Sequence, residues 1–426
     1  MNRLLYSTLF YLATPLLILR LIWRSFQSPD YLHRWSERFA FYGQQSSAKT
    51  TLVFHAVSVG EVHAAVTLVE QLLEKHPELD IVVTTLTPTG SGRVVELLGD
   101  RVTHVYLPYD YPGAVKRFLN HFNPALLVIM ETELWPNLVN CCQQQGVKVI
   151  LANARLSEKS RHNYEKASQL TLTMLQQLEK VTAQSTKDSE RLQSLGLPPE
   201  KILVTGSMKF DMVINQDQVT LAQQDKSGFS GRPVLVAAST RTAEGVVEDE
   251  LVLTAFSALL AIQPDLLLVL VPRHPERFND VYDLVNREGF SIVRRSSNEI
   301  PAAQHQVLLG DSLGEMHYYL SLADIAYVGG SLVPTGCQNI IEPAALGLPI
   351  VTGPSLYNFQ SVSEELLVAK GMRVIQDAEE LAKVLGRLFA DQEERQEMGQ
   401  AARAVVQSNQ GATARNLELI NNLIDF

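Results

Sequence analysis

The sequence predicts an α/β protein of two Rossmann-like domains facing each other across a cleft, with a membrane-seeking helix at the N-terminus. Three observations predict it. Over residues 51–206, short apolar runs alternate with helix-length amphipathic stretches, as parallel strands covered on both faces do. After a polar stretch the same alternation starts again at Val234 and runs to Ile375. The third observation is an almost wholly apolar segment, Leu4 to Leu19, at the start of the chain. A length of 426 residues leaves room for two or three domains and large cores.

The N-terminal segment comes first. Leu21-Ile22-Trp23 continues it past Arg20; Arg3 precedes it, and Arg24, Arg34 and Arg38 follow. It lacks the small-residue cleavage site of a signal peptide. About 20 apolar residues span a bilayer, and this stretch is near that length but interrupted. It reads as an uncleaved anchor or a helix lying in the interface; a buried core helix is the plainer alternative. The positive residues after it predict that the body stays on the cytoplasmic side of the membrane. Arg20, Arg24, Arg34 and Arg38 are placed to meet anionic lipid, each worth about 1 kcal/mol near the surface.

The first βαβ series has strands at Thr51–Val57, Ile81–Leu86, Val102–Leu107, Leu126–Met130, Val147–Ala152 and Ile202–Thr205. Helical stretches such as Ala64–Lys75 and Leu134–Gln145 separate them, which implies a doubly wound sheet. The second series has strands at Val234–Ala238, Leu266–Val271, Phe290–Val293, Val307–Leu309, Ile325–Val328, Pro349–Val351 and Met372–Ile375, with helices such as Glu248–Ile262 and Leu381–Phe389. Ala401–Ile424 reads as one long helix, placed to cross back onto the first domain. The expected division is a hydrophobic anchor and basic segment over 1–43, a first domain over 44–215, a linker over 216–232 and a second domain over 233–426.

Composition excludes several classes. A net charge of −10 argues against a general nucleic-acid binder, which shows a basic footprint. Three cysteines, Cys141, Cys142 and Cys337, make no disulfide framework, and no Cys/His spacing fits a zinc site. There is no P-loop motif and no Gly-x-Gly-x-x-Gly after a first strand, so a P-loop NTPase and a dinucleotide oxidoreductase are disfavoured.

Chemistry-bearing residues gather where strands end. Ser58-Val-Gly-Glu61 sets a carboxylate after the first strand, where open α/β sheets bind ligands. Glu61 reads as a general base or as a favourable charge at a helix N-terminus. Met130-Glu-Thr-Glu133 follows another strand. Glu131 and Glu133 share a side if the strand persists, and one of them faces the cleft if it turns. Neighbouring carboxylates shift each other's protons; a helix cap is the equal alternative. Lys209, in Thr205-Gly-Ser-Met-Lys-Phe-Asp211, is a point charge for a phosphate or a solvated lysine. In the second series, Val271-Pro-Arg273, Gly310-Asp-Ser-Leu-Gly-Glu315, Gly329-Gly-Ser-Leu332 and Asn339-Ile-Ile-Glu342 follow successive strands. Backbone N–H groups and a forked cation suit a phosphate, and Glu342 suits ribose hydroxyls, so together they favour a nucleotide site.

These residues carry a resemblance. With Tyr31-x-x-Arg34-Trp35-x-Glu37-Arg38, Thr84-Thr-x-Thr-Pro-Thr-Gly90, Tyr106-Leu-Pro-Tyr-Asp110, Met130-Glu-Thr-Glu-Leu-Trp-Pro-Asn137 and Ala152-Asn-Ala-Arg-Leu-Ser157, they match over essentially the whole chain. The sequence resembles the Kdo transferases, which add 3-deoxy-D-manno-octulosonic acid to the lipid A precursor (lipid IVA) in lipopolysaccharide core biosynthesis. The resemblance implies a GT-B fold, an acceptor-handling N-terminal domain and a C-terminal domain for CMP-Kdo. It implies that Glu61 is the general base and that Glu131 and Lys209 stabilise the transition state. It assigns CMP binding to Pro272, Arg273, Leu313, Gly314, Glu315, Asn339, Ile340, Ile341 and Glu342. The implied partners are CMP-Kdo, the lipid acceptor and inner-membrane lipid. No cofactor is implied. Lys209, Arg273 and helix N-termini are able to stabilise the leaving phosphate, so no divalent ion is expected. Direct attack by the acceptor hydroxyl inverts the anomeric centre. Arg155, Lys159 and Arg161 stand either as contacts to acceptor phosphates or as a solvated helix face.

The chain departs from the family pattern at Gly336-Cys-Gln-Asn339, where similar proteins carry Gly-Gly-His-Asn, and at Ser239-Thr-Arg241, where they carry Ser-Thr-His. Gln338 donates a hydrogen bond but carries no proton as His does. Two other readings remain at this level. A soluble nucleotide-sugar epimerase on the same scaffold would need no apolar N-terminus. A membrane-tethered nucleotide-sugar sensor would not need Glu61, Glu131 and Lys209 together.

Overall fold

A computed structural model describes residues 2–26, 28–43 and 49–424; the domain start expected at residue 44 lies outside the described residues. The chain forms two compact units, Met1–Asp211 with Gln410–Phe426, and Met212–Asn409.

Among the described residues the first unit has seven strands: β1 Thr51–His55, β2 Asp80–Thr85, β3 Thr103–Tyr106, β4 Pro124–Met130, β5 Lys148–Ala154, β6 Lys180–Ala183 and β7 Ile202–Val204. All pairs are parallel, in the order β3-β2-β1-β4-β5-β6-β7. Alternate residues serve opposite faces. Val53, Val82, Leu127 and Ile129 pack in one core. Leu52, Phe54, Val83, Leu126 and Val128 pack in the other. β6 was not anticipated, because Lys180-Val-Thr-Ala183 carries too little apolar signal to read as a buried strand.

The end of the chain completes this unit. Ala412, Leu417 and Ile420 enter the second core. The expected single helix Ala401–Ile424 is instead two, Gln392–Asn409 and Ala412–Leu423. They break at Gly411, whose φ of 93° lies in the left-handed region that glycine adopts without penalty.

The N-terminal stretch is also two helices, Arg3–Leu12 and Thr14–Ser25, bent by 51°. Pro15 lies in the first turn of the second, where its missing N–H is tolerated. Among the described residues no single helix is long and apolar enough to cross a membrane; only the bent pair passes together. One side of the first helix is tied down. Ser7 Oγ and Arg3 Nη1 donate to Asn137 Oδ1 at 3.1 and 3.3 Å. Phe10 meets Tyr111 and Trp135 edge-on. Leu4, Leu12, Leu16, Leu19, Trp23 and Phe26 stay exposed.

Two arginines expected at a lipid surface are structural. Arg38 is buried, lies 4.3 Å over the Tyr106 ring and donates to Leu86 O. Arg34 pairs with Glu37 at 2.7 Å and donates to His104 O. Both knit the segment after the helices to β3, which is why their charges are not left for lipid.

The second unit is again parallel: β8 Val234–Thr240, β11 Leu267–Pro272, β12 Ile292–Arg294, β13 Val307–Leu309, β14 Ile325–Val328, β15 Ile350–Thr352 and β16 Met372–Val374, in the order β12-β13-β11-β8-β14-β15-β16. A small antiparallel hairpin, β9 Thr242–Ala243 with β10 Val246–Val247, follows β8. The expected linker 216–232 is not a linker. It holds the helix Gln216–Ser227, with Ala222 and Phe229 in a core. Its remaining ties are polar: Tyr318 Oη donates to Asp225 at 2.7 Å and Gln218 Nε2 to Gly314 O at 2.8 Å. A helix held mainly by such bonds leaves little apolar periodicity in its sequence.

Candidate active site

In the first unit the strand order reverses between β1 and β4. Open α/β sheets bind ligands at that switch point, outside the strand ends. β1 leads through Ala56-Val57-Ser58 into the helix Val59–Lys75. Glu61 N–H donates to Ser58 Oγ at 3.3 Å, Ser58 Oγ donates to Glu61 Oε1 at 2.9 Å, and Val57 N–H donates to Oε2 at 2.8 Å. This is a variant of the capping box, in which the carboxyl takes the N–H of Val57, one residue before the N-cap Ser58. Glu61 is 7% exposed. Burial pushes its carboxyl up to about 7; the Val57 and Ser58 hydrogen bonds pull it down, and the charges of Glu131 and Glu133 push it up. The cap reading of Glu61 is seen directly, and it does not exclude the other. The cap fixes the carboxyl at the strand end, and its surroundings bring it into the range of a working base.

β4 stops at Met130, and Glu131 takes a left-handed φ of 56°. Such a conformation is uncommon for a residue with a Cβ. It turns the chain, so Glu131 and Glu133 are not alternate residues of one strand. Glu131 N–H donates to Ala152 O at 2.9 Å. Its carboxylate lies 3.6 Å from Lys209 Nζ. Lys209 sits in a short 3-10 turn, Met208–Asp211, fixed where Met208 N–H donates to Asn153 Oδ1 at 3.0 Å. Glu61 and Glu131 thus stand at the ends of the adjacent strands β1 and β4, and the turn after β7 brings Lys209 back across the sheet to Glu131. Glu133 is half-buried, its carboxyl raised mainly by burial and lowered by a hydrogen bond with Trp135.

In the second unit the switch falls between β8 and β14. Pro272 closes β11 at a register shift, and Arg273 N–H donates to Thr240 O at 3.0 Å. Arg273 Nε donates to Gln338 Oε1 at 3.3 Å. Glu342 accepts from Asn339 Nδ2 at 3.0 Å. Its carboxyl is pushed up to about 7 by burial, against the Asn339 hydrogen bond and the Arg273 charge. Ile340 and Ile341 are buried, so only their backbone is available to a ligand. Leu313 is 71% exposed, beside Gly314 at φ 77°. Glu315 pairs with Arg295 at 3.3 Å and accepts from Ser312 Oγ.

The loop after β14 depends on two glycines. A Cβ at Gly329 would meet Thr240 Cα at 2.7 Å, and Gly330 has φ 70°. Buried Glu248 pins this loop. It accepts from Gly330, Ser331 and Leu332 N–H at 2.6, 3.1 and 3.0 Å, from Arg241 N–H at 3.0 Å and from Tyr327 Oη at 2.7 Å.

The profile of the 3-Deoxy-D-manno-octulosonic-acid transferase (kdotransferase) family matches residues 33–212. The chain is 41% identical over its full length to a 3-deoxy-D-manno-octulosonic acid transferase of Haemophilus influenzae, covering 99% of that protein. The chain belongs to this Kdo transferase family. It is a glycosyltransferase, and Kdo is the sugar its family transfers. Two solved structures share its fold. One is a glycosyltransferase from Rickettsia africae, 16% identical, covering 88% of this chain and 99% of that one, TM-score 0.58. The other is a UDP-GlcNAc 2-epimerase from Neisseria meningitidis, 15% identical, covering 88% and 100%, TM-score 0.59. They show the GT-B fold alone, and the family match sets the epimerase reading aside.

For this Kdo transferase, reading the sequence missed three supports of the site. Asn153 is a polar residue inside an apolar strand, and it holds the Lys209 turn. Asp110 is buried and accepts from Asn137 and Leu138 N–H at 2.9 and 2.8 Å, capping the helix after Trp135. Glu248 looks like an ordinary first-turn acid; only the fold brings its loop to it. Arg161 pairs with Glu158 at 2.6 Å and with Glu165, so its charge is answered within its own helix. Among the described residues no group of three or more His, Cys, Asp or Glu is placed to hold a metal ion.

Proposed function

We propose that the enzyme transfers Kdo from CMP-Kdo to a hydroxyl of the lipid A precursor, lipid IVA, in lipopolysaccharide core biosynthesis, with inversion and without a divalent ion. The observation that carries this is Glu61: a buried carboxyl at the switch point, brought to about 7, beside the Glu131–Lys209 pair. A sugar hydroxyl is a poor nucleophile until a base takes its proton. The hydroxyl oxygen attacks the anomeric carbon of Kdo as Glu61 accepts its proton. The bond from that carbon to the phosphate oxygen breaks, and CMP leaves with the electron pair. One displacement inverts the centre. Its transition state is oxocarbenium-like, as in glycoside hydrolysis. Glu131 and Lys209 supply fixed charges of both signs for it.

In the second unit Arg273 suits the donor phosphate and Glu342 the ribose hydroxyls. The backbones of Pro272, Leu313–Glu315 and Asn339–Ile341 complete the CMP site. The membrane reading rests on the exposed apolar side of the N-terminal helices, with Arg20 and Arg24 among it. It places the enzyme on the cytoplasmic side of the inner membrane.

The test is transfer of Kdo from CMP-Kdo to lipid IVA in the presence of EDTA, followed by mass spectrometry, with wild type and Glu61→Gln side by side. A product heavier by Kdo units, lost in the variant, supports the reading. NMR of the new anomeric linkage reports inversion or retention. No product from a folded wild type that binds CMP overturns the assigned acceptor.

A further inference from the structure

Lys209 reaches Glu131 by an indirect path. β7 is the edge strand of the first sheet, and β6 and β5 stand between it and β4. The chain leaves β7 at Val204 and comes back over both strand ends before Lys209 Nζ lies 3.6 Å from the Glu131 carboxylate. The turn that carries Lys209, Met208–Asp211, is only four residues long. Where so short a turn lies is set by what it is tied to.

Its start is held by Asn153. β5 carries an extra residue against β6: Leu151 pairs with Val181 and Ala154 with Ala183, so Ala152 and Asn153 together face Thr182. Such a bulge re-aims a side chain. Asn153 takes a left-handed φ of 55°, which Asn adopts at less cost than most residues with a Cβ. Its Oδ1 accepts from Met208 N–H at 3.0 Å, one residue before Lys209. Met208 and Phe210 are buried on either side of Lys209, which stays half-exposed.

The bulge is itself pinned from behind. Asn153 N–H donates to Thr182 Oγ1 at 2.9 Å, and Gln184 Nε2 donates to Asn153 O at 2.8 Å. Thr182 Oγ1 donates its own proton to Asn416 Oδ1 at 2.6 Å. Asn416 belongs to the helix Ala412–Leu423, and its Nδ2 donates to Ala412 O at 2.8 Å, which fixes the amide. Asn153, Thr182 and Asn416 are all fully buried. The far end of the turn is tied to the start of the same helix, where Asp211 accepts from Gly411 N–H at 2.6 Å and from Thr413 N–H.

Stability alone does not account for Asn153. Its Nδ2 is buried and meets no acceptor among the described residues. A buried N–H left unmet costs stability. Glycine would satisfy the left-handed backbone with no buried amide. What the Asn side chain adds is the bond to Met208.

We propose that Asn153, Thr182 and Asn416 are positioning residues for the transfer reaction: a chain of buried hydrogen bonds, from the last helix through β6 and β5, sets Lys209 against Glu131. They act through Lys209 and not on the reacting atoms. The proposal rests on the reading given above, in which Lys209 and Glu131 stabilise the transition state. It gives the C-terminal helix a part in the chemistry besides closing the core.

The test uses the full-length enzyme with lysine labelled with 13C at Cε. Asn153→Gly keeps the left-handed turn and removes the acceptor. Thr182→Val keeps shape and removes the hydroxyl, and Thr182→Ser restores it. Lys209→Arg identifies the Lys209 resonance by its loss, and Glu131→Gln shows how far it moves when the partner charge is gone. The resonance is expected to shift in N153G and T182V and to stay in place in T182S. In transfer from CMP-Kdo to lipid IVA, kcat is expected to fall about ten- to a hundredfold in N153G and about three- to tenfold in T182V. Both KM values should stay within about twofold of wild type, as for a misplaced group that acts only in the transition state. In a Lys209→Met background, adding Asn153→Gly is expected to cost less than about twofold, since residues that act through one another are not additive. If N153G does not melt cooperatively, the Thr182 pair carries the test. A resonance unmoved in both N153G and T182V overturns the positioning role. So does a loss of kcat as large in the Lys209→Met background as in wild type, which is what a merely structural role gives. Where Lys209→Met leaves no measurable transfer, the resonance decides alone. A resonance that moves while Lys209→Met transfers at the wild-type rate supports the placement and overturns the role given to Lys209. A resonance that moves with no transfer by wild type supports the placement and overturns the reaction.

Discussion

Glu61 carries two loads. Its carboxyl closes the capping box and stands at about 7, raised from 4.5 mainly by burial. As a base it works ionised, so kcat/KM is expected to rise with pH through about 7. Glu61→Gln is expected to lower transfer about 10²–10⁴-fold. Glu131→Gln and Glu133→Gln each remove a charge that pushes Glu61 up. The acidic limb of the profile in each variant is therefore expected at lower pH than in wild type, and an unmoved limb in both would show that Glu61 does not set it. Stability follows the same sign. A carboxyl raised on folding contributes most below its ordinary 4.5, and that contribution is lost as pH rises to about 7. The fall in Tm between about pH 5 and about pH 8 is expected to be smaller in Glu61→Gln than in wild type.

At the scale of elements, two loops depend on buried side chains distant in sequence. Glu248 holds the Gly329–Leu332 loop through backbone and hydroxyl donors. Glu248→Ala leaves them unpaired, at roughly 1–3 kcal/mol each. A large drop in Tm with weakened CMP binding is expected, by calorimetry and titration; CMP affinity at the wild-type level would separate this loop from the donor site. Asn137 ties the first helix to the turn after β4 and donates its amide to Asp110 O at 2.7 Å. Asn137→Ala is expected to cost about 1–3 kcal/mol in urea unfolding, because it strands buried donors. Gln338 shows how a departure from the family pattern reads in structure. Its amide oxygen accepts from Arg273 Nε, which a protonated imidazole cannot do.

At the scale of the whole molecule, the first unit is built from both ends of the chain. Asp211 accepts from Gly411 N–H at 2.6 Å, and Arg415 Nε donates to Thr205 O at 3.0 Å. Asn416 and Ile420 are fully buried there. Removal of residues 410–426 is expected to abolish cooperative melting of the first unit, followed by circular dichroism; melting as in wild type would show that the unit closes without them. The exposed apolar side of the N-terminal helices makes a separate prediction. Leu12→Ser with Leu16→Ser and Trp23→Ser is expected to lower flotation with anionic vesicles at least about tenfold, since each apolar side chain buried is worth about 1.5–3 kcal/mol. Unchanged flotation would place the lipid contact elsewhere.

Much of this was legible in the residues alone. Parallel strands buried on both faces announce themselves as continuous apolar runs, and the carboxylates and cations of a site stand where those runs end. The two parallel sheets were readable for that reason, Glu61, Glu131, Lys209, Arg273 and Glu342 stand as candidates near such strand ends, and the family was readable from the ordered motifs rather than from periodicity. Other features arise from contacts at long sequence separation, which no local pattern records. The left-handed turn at Glu131 separates it from Glu133. Burial, against the pull of the capping hydrogen bonds, raises an acid that reads as a helix cap to about 7. Arg34 and Arg38 read as lipid contacts until Glu37, His104 and Tyr106 claim them. The helix at 216–227 looked like a linker because polar bonds hold most of it, and the C-terminal helix broke where Gly411 accepts a backbone turn. Apolar periodicity reports burial averaged over an element; which polar group meets which, and at what pKa, is decided only when the strands are laid side by side.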